Sequence, residues 1–145
     1  MRKILLIILT ITPFFIFAQT NTFQGNQAGA SITTGTANSF FGSFAGKDNT
    51  TGSRNTFVGT WAGNKTTTGQ ENTFLGLVAG QFNTTGNFNT LLGAGAANDN
   101  LTGSSNTIIG RGAGFKVTSS KNTILGAQAG FNATGASNVF LGYSA

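Results

Sequence analysis

Catalysis needs titratable or nucleophilic groups held within reach of one another, and this sequence offers few. It contains no His and no Cys, and its only acidic residues are Asp48, Glu71 and Asp99. Those three are not placed to act as a carboxylate pair, so the expectation is that the protein is not an enzyme and has no catalytic residues. Calcium-binding β-rolls repeat an Asp in each turn, whereas this chain repeats Asn, so no metal and no cofactor are expected. The run Gly110-Arg111-Gly112-Ala113-Gly114 has the look of a phosphate loop, but it recurs in register with other Gly-Ala-Gly runs and is read as part of a repeat. A pI near 10.3 invites a nucleic-acid reading. The basic residues are spread out, however, and three of them stand 17 positions from an acidic one: Asp48 with Lys65, Arg54 with Glu71, and Asp99 with Lys116. That pattern points to a solvated surface with paired charges, and no nucleic-acid partner is expected.

Two other groups could recognise something. Phe44, Trp61 and Val78 recur at one position of successive repeats. They read either as packing near one end of the molecule or as an exposed patch for a partner or glycan. Thr34, Thr51, Thr68, Thr85, Thr102, Thr118 and Thr134 form a Thr ladder near the end of each unit. Facing outward, such a ladder is similar to the Thr ranks of ice-binding solenoids. Neighbouring Thr side chains point apart on an extended chain, so stabilising a turn is the preferred role.

All of these residues are positioned by one repeat. Copies begin at Asn21, Asn38, Asn55, Asn72, Asn89, Asn106, Asn122 and Asn138, at spacings of 17 and then 16 residues. A fixed period of this length marks a solenoid whose coils bury their apolar faces only on one another. Column one is Asn in every copy, column five is Gly and column eight is Ala. Column two is mostly Thr, and columns three and four are apolar in almost every copy. Short strands are expected at columns two to four, with turns at the glycines. The resulting fold is all-β: a parallel β-solenoid, or β-roll, of 16–17-residue coils, about 34 Å long at one strand spacing per coil. The Asn column can pass amide hydrogen bonds from coil to coil. The sequons at Asn49, Asn64, Asn83, Asn100 and Asn132 are read as turns of the repeat.

Columns three and four must face opposite sides of their sheet. Column three carries the recurring rings and is assigned to the interior. Column four then makes an apolar stripe along the outside: Phe41, Val58, Leu75, Leu92, Ile109, Leu125 and Leu141. Such a stripe seldom stays uncovered on a soluble monomer, so a homo-oligomer is expected, a trimer best sharing the stripe about one axis. A bend at Gly59 and its equivalents that turned both columns inward would remove the need for a partner.

Residues 1–18 read as a signal peptide: Arg2 and Lys3, an apolar run from Ile4 to Phe17, then Ala18 before Gln19. Residues 19–145 form the repeat domain, with seven full coils from Asn21 and a partial eighth from Asn138. The ending Phe-Ala-Gln is similar to leaders of secreted Gram-negative proteins, which places the chain outside the cell or on its surface.

The repeat Asn-Thr-(Phe/Ile)-(Leu/Val)-Gly-x-x-Ala-Gly…Thr-Thr-Gly-x-x-Asn resembles the head repeats of trimeric autotransporter adhesins. It is similar also to the repeat strings of bacterial surface and tail-fibre-like proteins. The resemblance covers residues 21–145. It implies a parallel β-roll, three chains wound together, and adhesion to a host surface, glycan or matrix. The adhesin repeat is a little shorter than this one and has one more apolar position in its strand. No stretch here reads as the family's coiled-coil stalk or membrane-anchoring β-barrel. The two functional readings are a structural or adhesive repeat protein and a monomeric ice-binding solenoid.

Overall fold

The computed structural model describes residues 21–145, and the expected leader at residues 1–18 lies outside them. Each copy contributes one three-residue strand where β-branched and aromatic residues coincide: β1 (Thr22–Gln24), β2 (Ser39–Phe41), β3 (Thr56–Val58), β4 (Thr73–Leu75), β5 (Thr90–Leu92), β6 (Thr107–Ile109), β7 (Thr123–Leu125) and β8 (Val139–Leu141). The strands form one eight-stranded parallel sheet in sequence order. Phe40 pairs with Phe57 and Phe57 with Phe74, so the register is the repeat itself. It shortens to 16 at Thr107↔Thr123 and Thr123↔Val139. The chain is therefore a parallel β-solenoid, and the remainder of each coil is a chain of turns stacked on the next coil by backbone hydrogen bonds.

Side-chain alternation sorts the columns. Column three is buried and columns two and four face outward in β4, β5 and β7. The core is a ladder of the buried rings Phe40, Phe57 and Phe74, stacked at centroid separations of 4.8 and 4.7 Å, with the exposed Phe23 ring capping the end at 5.1 Å. Leu91, Ile108 and Ile124 continue it. Each contributes on the order of 1.5–3 kcal/mol by burial. The column-eight alanines from Ala45 to Ala129 close the coil from the other side, all buried.

Two glycine columns make room for this. In column five, Gly42 has φ of 134°. A Cβ there would lie 2.6 Å from the Gly59 carbonyl carbon of the next coil, so both backbone angle and stacking require glycine. In column nine, a Cβ on Gly63 would lie 2.5 Å from the Phe57 ring of its own coil. The ring lies directly on the glycine. Copy five departs from this as a pair: Ala97 replaces the glycine and the smaller Leu91 replaces the ring.

The Asn column is buried and bonded. Asn72 donates from Nδ2 to the Gly86 carbonyl at 2.8 Å and to Asn55 Oδ1 at 3.1 Å. Its own Oδ1 accepts from the Asn89 backbone N–H at 3.0 Å. A second inward column, twelve, was not anticipated. It holds Ile32, Asn49, Thr66, Asn83, Asn100, Val117 and Ala133, buried or half-buried. Asn100 Oδ1 accepts from Gly103 N–H at 2.8 Å, closing a local turn inside the coil. The Asn49 amide is turned over against Gly52 and has no protein partner. Asn49, Asn64, Asn83 and Asn100 are fully buried, so these four sequons are structural positions.

The 16-residue coils lose their residue at one corner. Asn89 Nδ2 donates to the Gly103 carbonyl, whereas Asn106 Nδ2 donates to Ser119 O. Thr118 alone thus spans the corner that Leu101 and Thr102 span in the coil before.

Candidate binding surfaces

The outer face of the sheet carries the first candidate. Column four points outward along the rod, with Leu75 44%, Leu92 40% and Leu125 45% exposed. Phe41, Val58 and Ile109 are half-buried in the same row, and Leu141 is exposed. No inward bend occurs at Gly59 and its equivalents. Column two runs parallel to this row, and Thr56, Thr73, Thr90, Thr107 and Thr123 are exposed there, with no hydrogen bond from their hydroxyls among the described residues. The face therefore alternates a row of Thr with a row of aliphatic side chains, two residues apart on each strand.

The Thr ladder lies at the opposite corner. Thr34, Thr51, Thr68, Thr85, Thr102, Thr118 and Thr134 are all exposed. The expected turn-stabilising role belongs instead to the residue before. Thr50 Oγ1 donates to Thr67 O at 3.1 Å, Thr67 Oγ1 to Thr84 O at 3.2 Å, and Thr84 Oγ1 to Leu101 O at 2.7 Å. Adjacent Thr residues point apart, so one hydroxyl joins coils and the ladder hydroxyl meets solvent.

The aromatic patch sits on a third face. The Phe44 and Trp61 rings stack at 4.4 Å, with Lys47 Nζ 5.6 Å from the Phe44 centroid. Val78 follows in the same column, and all three are half-buried outside the core. They lie on the flank of coils two to four, packed on one another and open on their outer side. Column seven adopts a left-handed backbone, with φ of 60° at Phe44 and 62° at Trp61. Glycine replaces the side chain at Gly95 and Gly112 in the next two coils. There the flank sinks into a groove of about 310 Å³, lined by Val78, Ala94, Arg111, Phe115, Gln128 and Phe131 along with those glycines. The Phe115 and Phe131 rings stack at 5.2 Å along one wall. No sequence motif marks this groove.

Two of the three expected charge pairs close: Arg54 to Glu71 at 2.7 Å and Lys65 to Asp48 at 2.8 Å. Asp99 and Lys116 occupy matching columns of adjacent coils but do not come within ion-pair distance, a correction to the expected register contact. Asp99 is half-buried and Lys116 exposed, and an ion pair at such a site gains too little to be formed by every pair of matching spacing. Gly110-Arg111-Gly112-Ala113-Gly114 is a turn of coil six, followed by further turn and not by a helix. Among the described residues, no group of three His, Cys, Asp or Glu side chains could hold a metal ion. No known family model, curated protein or solved structure matches the chain.

Proposed function

We propose that the protein is a secreted or surface-exposed structural and adhesive rod, without catalytic activity, that works as a trimer joined along its sheet face. The observation that carries this is the exposed column-four row on the outer face of the parallel sheet. A row of Leu75, Leu92 and Leu125 so open to solvent is far more contiguous than scattered surface apolar residues. Covering it with the same row of two other copies removes that surface from water without a second kind of partner. The repeat's likeness to adhesin heads supports the same arrangement and gives the rod its role.

A solution mass measurement at micromolar concentration tests the trimer, paired with the double substitution Leu75→Lys/Leu92→Lys. The expected result is a trimeric wild type and a folded, monomeric variant. A monomeric wild type sinks the reading. So does a variant that keeps the wild-type mass.

Ice binding is the second reading, and the solvent-facing Thr hydroxyls of column two and of the Thr ladder favour it. An ice-recrystallisation assay separates the two. Inhibition by a monomeric rod, lost on changing Thr73 and Thr90 to Val, would select it over the adhesive trimer.

A further inference from the structure

We infer that the groove at Gly95 and Gly112 is a binding site for an acidic saccharide, a pyranose bearing a carboxylate. Column seven is filled by Phe44, Trp61 and Val78 in three successive coils and by Gln128 in coil seven. Between Val78 and Gln128 it has no side chain of its own, but the Phe115 ring lies over Gly95, which is buried, and only Gly112 is left partly open. The floor is thus the Gly112 backbone and Ala94, which lets a flat ring approach closely beside Phe115. Stacked Phe115 and Phe131 form an apolar wall suited to the C–H surface of a sugar ring. Arg111 stands in the lining, exposed and, among the described residues, with no ion pair or hydrogen-bond partner. A guanidinium so placed suits a carboxylate, which it can grip with two parallel hydrogen bonds. Gln128 closes one end with an amide able to serve ring hydroxyls. The volume is at the lower end of small-ligand sites, right for one or two rings.

Nucleic acid fits these residues less well. A strand needs a cationic track along its phosphates as well as stacking rings, and one Arg lines this groove. The inference rests on the adhesive reading for its biological sense. No strand residue lines the groove, so it can be measured whatever the oligomeric state.

The test is titration of the purified protein with a short oligogalacturonate, by calorimetry or amide chemical shifts, beside the methyl-esterified form of the same sugar. Binding to the free acid is expected, weakened about tenfold or more by esterification and by Arg111→Gln. Gly112→Gln should abolish binding. Column seven accepts Gln at the same backbone angle in Gln27 and Gln128, and a Cβ on Gly112 meets nothing closer than 3.9 Å. Unchanged circular dichroism would show that the variant is folded; should it unfold, Arg111→Gln and the ester decide alone. The inference is overturned by absence of binding at millimolar sugar, by equal binding of the ester, by full binding in folded Gly112→Gln, or by tighter binding of oligothymidylate. Uronate binding by a monomer would keep the groove and reject the trimer, whereas a trimer that binds no uronate would do the reverse.

Discussion

Coils two to four and coils five to seven solve one packing problem with different residues. In the first group the interior is a stack of rings, each lying on a column-nine glycine, and column twelve is polar at Asn49, Thr66 and Asn83. The second group is lined by Leu91, Ile108 and Ile124, and column twelve turns apolar at Val117 and Ala133. The outer aromatic residues move as well, from column seven at Phe44 and Trp61 to column ten at Phe115 and Phe131. The lesson is that the unit of design is a pair of columns. Phe with Gly and Leu with Ala fill similar space, and losing bulk at column seven opens the flank where new rings stand.

Five substitutions at four positions probe that contrast. The largest loss should come from Phe57→Ala, about 3–5 kcal/mol in a denaturant titration, because the rings above and below cannot collapse into the gap. A loss below about 1 kcal/mol would mean that the ring stack is not the core. Gly63→Ala should cost about 2–4 kcal/mol by driving a methyl into the Phe57 ring at a left-handed angle. Combined with Phe57→Leu it recreates the copy-five pair, and the double variant should be more stable than the sum of the two single losses predicts. Simple additivity would break the idea of paired columns. Asn49→Val brings the Val117 solution into coil two and removes an amide that has no protein partner. It should raise stability by about 1 kcal/mol. The smallest effect is expected of Arg54→Gln, within about 1 kcal/mol, with any loss shrinking in high salt.

Strands, register and the identity of the inward ring column were legible in the sequence because each is a strict column property. Phe57 and Leu75 sit on opposite faces simply because strands alternate. The Thr hydroxyls were harder. Thr50 and Thr51 look alike, and only the corner geometry decides which one reaches the next coil. Column twelve was hidden because Asn83 and Asn100 look like loop residues. They are buried because each amide closes on a glycine three residues later. The groove was hidden for a different reason: it is made by missing side chains, and Gly95 and Gly112 are inconspicuous in a chain with 22 glycines. Asp99 and Lys116 had the spacing of the two closed pairs, but register places backbones, and side chains at the surface need not follow.

The Asn column makes every boundary between coils chemically the same: an amide oxygen offered below, a backbone N–H presented above. A gene encoding such a chain can gain or lose one whole copy by recombination between copies without disturbing the cut ends. Each event would change the rod by one step of about 4.8 Å. Even the circumference has slack, since coils six and seven drop one residue at the Thr corner and keep their stacking. Adding or removing copies would therefore change the reach of the rod in equal increments, separately from whatever the flanks display.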